Sequence, residues 1–463
     1  MATTPHTTRL FIPSRRGADS SSRGRGCGSP NWPGEDGVPV TGARVPPAGP
    51  VPGPTPAGER LPLLDAVRGA ALAGILLANL MSFFAVFMLD AEQRQAMSYG
   101  WAGEHVLFAV NWLVEGKFYS VFSILLGIGF ALQAGRSARR GASPADFARF
   151  FRRRMWVLVA IGLVHMVFMW AGDILTLYGV MGLLLPSLAR LKGGVRAALI
   201  AALFLVPLGT HALIVSTEGR LDPRTPFAAA GTALRERAAG PERTALDLFA
   251  HGSGADYYVS NVSTAVVRPG AYLQQGRPAK VLFLFVLGAW LGAGVLPRLG
   301  GMRRALWLTV VLGGVVGLAG SFVYATIKAA TDSTFLMSGT GLLQTAAYTF
   351  GTAPLALAYL AAAALAWRLP WGRSGLGWFV PLGRMALTVY LTQSVVQVAI
   401  FTSLGLGLAG RAPVVWIPAV AALVLVAQRY GCAWWLARHE RGPAEWVWRR
   451  LTYGGGRSRS VRA

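Results

Sequence analysis

Acidic side chains are scarce in this chain: 20 Asp and Glu stand against 44 Lys and Arg, and charged residues together make up 14% of its 463 positions. So little charge argues against a soluble fold, whose helices need polar faces toward water. Cysteine is nearly absent. Cys27 and Cys432 fit no metal-site spacing, and both fall in regions expected to share a reducing compartment, so neither a disulfide nor a metal centre is expected. No phosphate-binding Gly-rich loop, Gly-x-Ser-x-Gly elbow, His-Glu-x-x-His pair or paired-carboxylate motif is found, so no soluble-enzyme signature assigns a chemistry. The net charge of +24 could suggest nucleic acid, but the basic residues fall in short runs between apolar segments without interleaved aromatics. No nucleic-acid partner is expected.

Apolar residues are abundant, at 53% of the chain, and several runs exceed the roughly 18 to 20 residues that cross a bilayer. Hydropathy gives about ten candidate spans, at 62–88, 118–134, 155–171, 174–190, 197–215, 280–297, 305–326, 339–367, 380–404 and 413–436. Strands in lipid would leave backbone groups unpaired, so the expected fold is an all-α polytopic transmembrane helix bundle over residues 60–453. Residues 1–59, rich in Pro, Gly, Ser and Arg, read as a disordered basic tail or as the product of a misplaced start codon, and 454–463 as a basic C-terminal tail.

Arginine sets the orientation. The short loop "AGRSARRGASPADFARFFRRR" holds seven Arg, and "RLKGGVR", "RLGGMRR" and "RLPWGR" lie on the same side if the N-terminus is inside. Both termini are therefore expected in the cytosol, with the bilayer being the cell inner membrane. The long segment 216–279 then lies outside, between spans five and six, as amphipathic helices on the interface or as a loose loop. Spans two and six share a glycine-rich look, "FSILLGIGFAL" and "FLFVLGAWLGAG", a hint of duplication or simply of close helix packing.

Polar residues within these spans are the candidate functional groups, because each costs free energy in lipid unless it is paired or faces a cavity. In "LPLLDAVRGAALAGILLANL", Asp65, Arg68 and Asn79 share one helix face. The first two form a gate or a snorkelling pair, and Asn79 serves a cavity or glues helices together. His165 falls near the midplane, a candidate base, nucleophile or proton relay, or a buried hydrogen-bonding group. Asp173, at a tight outer turn, either caps the next helix or orients a catalytic group. Glu115 and Lys117 open span two at the outer interface, where snorkelling is the usual role. Arg384 starts span nine, whose Thr388, Tyr390, Thr392, Gln393 and Ser394 suggest a pathway lining. In "HERGPAEWVWRRLTYGG", Trp446 and Trp448 suit the headgroup level, with Arg449 and Arg450 facing anionic lipid.

Five ordered blocks, "LLDAVRGAALAGILLANL", "GKFYSVFSILLGIGFAL", "RRRMWVLVAIGLVHMVFMWAGDILTLYG", "GRMALTVYLTQS" and "GPAEWVWRRLTYG", resemble the YeiB-like family of uncharacterised bacterial membrane proteins over about residues 60 to 453. The chain is similar, more distantly, to transmembrane acyltransferases of the heparan-glucosaminide acetyltransferase type. That resemblance implies transfer of an acyl group from cytosolic acyl-CoA to an acceptor across the bilayer, with acyl-CoA as co-substrate and no tightly bound cofactor. It sets Asp65, Arg68 and Gly69 near the donor's entrance and Asn79 at a deeper polar position. The histidine that follows that position closely in the sugar acetyltransferase is missing here, where the next is His105, so His165 is the substitute candidate. Val389 departs from the asparagine usual in the YeiB-like pattern.

Two functions from different classes remain open. In an acyltransferase, Arg68, Lys117, Arg152, Arg153, Arg154 and Arg384 are the candidates to hold the donor's phosphates or other charged groups. Tyr390 and Gln393 would then line the path, His165 and Asp173 would carry the chemistry, and Asn79 would donate to the oxyanion. In a proton-coupled transporter of a small metabolite or lipid, His165 would relay protons and Asp65–Arg68 would gate. A non-catalytic membrane protein is the third reading.

Overall fold

The computed structural model describes residues 61–453 apart from 90–91, 94–95, 97–100 and 335, so both expected tails lie outside the described residues. Every regular element among the described residues is helical. Seven helical segments are long and apolar enough to cross a membrane: Pro62–Phe83, Trp101–Arg139, Gly193–Ser216, Arg277–Gly301, Arg303–Thr331, Gly339–Ala366 and Val414–Leu436. The chain is a multi-pass membrane protein. The other three expected spans fall on Pro144–Phe168 and on two shorter apolar helices, Leu175–Leu188 and Ala386–Phe401.

In chain order the helices are α1 (Pro62–Phe83), α2 (Trp101–Leu113), α3 (Lys117–Arg139), α4 (Pro144–Phe168), α5 (Leu175–Leu188), α6 (Gly193–Ser216), α7 (Arg224–Ala239) and α8 (Gly254–Gln274). There follow α9 (Arg277–Trp290), α10 (Arg303–Thr331), α11 (Gly339–Ala366), α12 (Pro370–Gly377), α13 (Ala386–Phe401), α14 (Ile417–Leu436) and α15 (Pro443–Tyr453). Sequence hydropathy missed α2, whose polar Glu104, His105 and Asn111 dilute its apolar run.

Local chemistry fixes the helix starts that matter most. Ser143 accepts a hydrogen bond from the Asp146 backbone N–H, and Pro144 occupies the first turn of α4, where no N–H is needed. At α8, Ser253 and Asp256 bond each other's backbone N–H groups reciprocally. The Ser253 N–H and the Arg243 guanidinium hold the Asp256 carboxyl down at about 2. The segment expected as interfacial helices or a loose loop is thus helical in α7 and α8, and α8 packs against α4.

The two glycine-rich look-alikes pack against each other. A Cβ on Gly127 of α3 would collide with the Phe285 carbonyl of α9, and one on Gly288 with the Ile124 carbonyl, so the two backbones touch where these glycines meet. Gly69 of α1 and Gly383 make a second close approach, each meeting the other segment's backbone. That contact seats the one-turn helix Val380–Arg384 beside the start of α1.

Two outcomes follow from these contacts. Gly288→Val should lose about 1–3 kcal/mol of stability by overpacking and unfold at lower temperature in detergent, while Gly314→Ala, which has open space, should not. Because the Asp256 carboxyl is depressed in the fold, its contribution is present above the ordinary value of 3.8 and fades as pH falls toward about 2. Protection from hydrogen exchange in the first turn of α8, taken relative to the intrinsic rate at each pH, should therefore fall over that interval in the wild type, and Asp256→Asn should remove the dependence.

Candidate functional site

His165 lies in the last turn of α4, Asp173 in the turn that follows, and Ser394 midway along α13. The His165 Nδ1 is 3.0 Å from Asp173 Oδ1, and its Nε2 is 2.9 Å from Ser394 Oγ. All three residues are at most 2% exposed. A carboxylate only accepts, so Asp173 holds the proton on Nδ1 and leaves the Nε2 lone pair to accept the Ser394 hydroxyl proton. This is the order of a nucleophile, its base and the group that orients the base.

Asp173 also caps α5: its second oxygen accepts the Thr176 N–H at 2.7 Å. Capping and orienting, alternatives in the sequence, are performed by the two oxygens of one carboxylate. Tyr390, one turn before Ser394, sets its ring 5.3 Å from the imidazole and accepts the Ile174 N–H at 3.4 Å. The turn itself is clamped by α8. Asn261 accepts from the Ala171 N–H at 2.6 Å and donates to the Met166 and Val167 carbonyls at 3.0 and 2.8 Å, pairing the loose backbone groups at the end of α4. Tyr257 donates to the Met169 carbonyl and Tyr272 to the Asp173 carbonyl.

At the arginine-rich end a cleft of about 280 Å³ opens between the start of α1, the end of α3, the start of α4 and α15. Its lining holds Arg68, Arg136, Arg140, Arg154, Arg384, Arg441 and Arg449 against two carboxylates, Asp65 and Glu445. Both carboxylates are engaged. Asp65 pairs with Arg68 at 2.8 Å. Glu445 accepts from the Leu387 and Thr388 backbone N–H groups at 2.6 and 3.1 Å and from the Thr388 hydroxyl at 2.6 Å, capping α13 from α15. The Arg384 Nε is buried without a hydrogen-bond partner, and Arg154 lies 4.1 Å over the Trp448 ring while donating to Gln133 at 2.9 Å. Such a surplus of guanidinium groups suits an anion with several oxygens. From Arg154 to His165 is eleven residues, about 16 Å along α4.

The expected residues do not all converge. Asp65, Arg68, Arg154 and Arg384 share the cleft, with Gly69 beneath it as the close-approach glycine. Arg152 turns away to Ser187 and the Leu183 carbonyl, and Arg153 donates to the Leu451 carbonyl at 3.2 Å. Gln393 bonds Gln428 of α14 at 3.2 Å, not the histidine. Asn79 is partly buried one turn beyond Ile75, and its side chain makes no hydrogen bond among the described residues. Lys117 is at the opposite end of α3, fully buried and bonded to the Asn111 carbonyl at 2.8 Å, which differs from the expected snorkelling. Trp448 packs inward on Arg154, whereas Trp446 is half exposed.

The sequence places Ser394 among the polar residues of a span that suggests a pathway lining, without pairing it with His165. Its only signal was the polarity of "ALTVYLTQS", because the histidine it meets lies 229 positions earlier.

Comparison with known proteins finds relatives of uncharacterised function. A family model described as "Protein of unknown function (DUF418)" matches residues 292–455. The uncharacterised protein YxaH of Bacillus subtilis is 26% identical over 426 residues, 86% of this chain and 96% of that one. The uncharacterised protein YeiB of Escherichia coli is 27% identical over 426 residues, 85% and 96% of the two chains. The YeiB-like resemblance holds. A 39.9 kDa protein from the amylase 3′ region of Bacillus acidopullulyticus aligns at 33% identity over 139 residues, 29% of this chain and 35% of that one. These descriptions name no activity, acyl transfer included, and no solved structure matches.

Asn261→Leu should strand three backbone groups at the end of α4, costing about 1–3 kcal/mol and lowering the thermal midpoint in detergent.

Proposed function

We propose that the protein is a membrane acyltransferase that draws an acyl group from acyl-CoA in the arginine-lined cleft and passes it through Ser394 to an acceptor at the opposite face. The observation that carries this reading is the buried Ser394–His165–Asp173 chain, set about 16 Å from an arginine-lined cleft. By the positive-inside rule the cleft faces the cytosol, where acyl-CoA is found.

The cleft arginines hold the donor's phosphates, and the thioester arm reaches along α4 toward His165. Ser394 Oγ attacks the thioester carbonyl as its proton passes to His165 Nε2. The C–S bond breaks and the thiolate leaves with that proton, so the acyl group rests on Ser394 as an ester. An acceptor hydroxyl then gives its proton to His165 and attacks the ester carbonyl, and Ser394 Oγ leaves with the proton returned. Asp173 stabilises the imidazolium formed in each half.

Purified protein in nanodiscs should release CoA from acetyl- or long-chain acyl-CoA, and short quenching should trap an acyl ester on Ser394. Ser394→Ala and His165→Ala should each lower turnover by about 10⁴-fold. Arg384→Gln should raise KM for acyl-CoA about tenfold with a smaller change in kcat. No CoA release from any donor, or wild-type turnover in Ser394→Ala, overturns the reading. A proton-coupled carrier would use the same buried His165–Asp173 pair; it would conduct protons in sealed vesicles without acyl-CoA and stop doing so in Asp173→Asn.

A further inference from the structure

At the far end of α3 from the arginine cleft, about 33 Å away along the helix, four cations meet one carboxylate. Lys117, Arg277, Lys280 and Lys328 come from α3, α9 and α10, and Glu115 from the turn before α3. Lys328 takes the carboxylate, 2.9 Å from Glu115 Oε2, and also bonds Asn111 Oδ1 at 2.8 Å. Lys117 and Lys280 are almost fully buried yet bond only neutral oxygens, the Asn111 carbonyl at 2.8 Å and Thr352 Oγ1 at 2.5 Å. Arg277 has no hydrogen-bond acceptor and no ion-pair partner among the described residues; its guanidinium rests 5.8 and 5.4 Å from the rings of Tyr119 and Tyr272.

Burial disfavours charge, and a lysine can shed its proton where a guanidinium cannot, so Arg277 is the cation left in need of an anion. Glu115, Arg277 and Lys280 line a cavity with about 30 Å³ of open space, room for one or two waters that an entering oxyanion would displace. Two helix N-termini add to the field. Both α3 and α9 begin after left-handed glycines, Gly116 at φ 81° and Gly276 at φ 59°, with no side chain capping their free N–H groups. The cavity is also coupled to the histidine site, since Tyr272, stacked on Arg277, donates its hydroxyl proton to the Asp173 carbonyl.

We propose that this cavity binds the phosphate group of a substrate at the face opposite the arginine cleft, with Arg277 as its principal ligand and Lys280 beside it. A guanidinium without an acceptor of its own, with a lysine beside it, suits the oxygens of a phosphate group. That the phosphate belongs to the acyl acceptor rests on the acyltransferase reading; the binding itself does not.

Equilibrium binding of radiolabelled orthophosphate to the full chain in detergent tests the site. Wild type should show two classes of binding, one lost in Arg384→Gln and the other weakened about tenfold or more in Arg277→Gln. Arg277→Lys, which keeps the charge, should retain part of the second class, and Ser394→Ala should retain both whatever its effect on turnover. Competition separates the sources: a water-soluble short-chain phosphatidic acid displacing the second class better than glycerol phosphate identifies a lipid headgroup, and equal displacement a free phosphate ester. Unchanged binding in a folded, monodisperse Arg277→Gln, or loss of all binding in Arg384→Gln alone, overturns the proposal.

Discussion

A carboxylate and an imidazole sealed between membrane helices must satisfy every polar atom within the protein, since no water is at hand to do it. That requirement organises the centre of this molecule. Asp173 spends one oxygen on His165 and the other on the Thr176 N–H, and its backbone carbonyl accepts from Tyr272. Asn261, reaching in from α8, pairs the strand of backbone between α4 and α5 that would otherwise be orphaned. The segment between α6 and α9 is therefore part of the site's wall, because α8 pairs the backbone groups of the turn carrying Asp173 that no other helix reaches.

The two ends of the bundle are charged in different ways. At the arginine-rich end the guanidinium groups line an open cleft, where water screens them and a large polyanion can enter. At the other end lysines are buried against tyrosine rings and a single carboxylate, in a space for one small group. Between them lies an apolar cluster that includes Leu72, Met155, Leu158 and Met385. Anything that passes from the cleft to His165 has to part these side chains, and the flexible methionines suit such a passage.

Hydropathy made the helical bundle legible, because it acts over tens of residues and survives ignorance of the packing. His165 and Asp173 were legible for a local reason: eight residues separate them, and a tight turn returns one to the other. Ser394 was not, since its meeting with His165 depends on how α13 lies against α4. The basic cavity was still less visible. Neither Lys280 nor Lys328 stands out in the sequence, and only the convergence of separate helices brings both to the neighbourhood of Glu115. Asn79 shows the reverse failure: the face it shares with Arg68 is real, but a shared face does not bring it to the histidine.

Glu445 draws one more consequence from the geometry. The first N–H groups of α13 are closed by a side chain that lies 57 positions beyond Thr388 in the chain. The leading end of the helix that carries Ser394 is therefore sealed only when α15 docks. The same helix that seals the leading end of α13 also supplies Glu445, Trp448 and Arg449 to the arginine cleft, so the cap and the cleft's last wall are completed by one docking event.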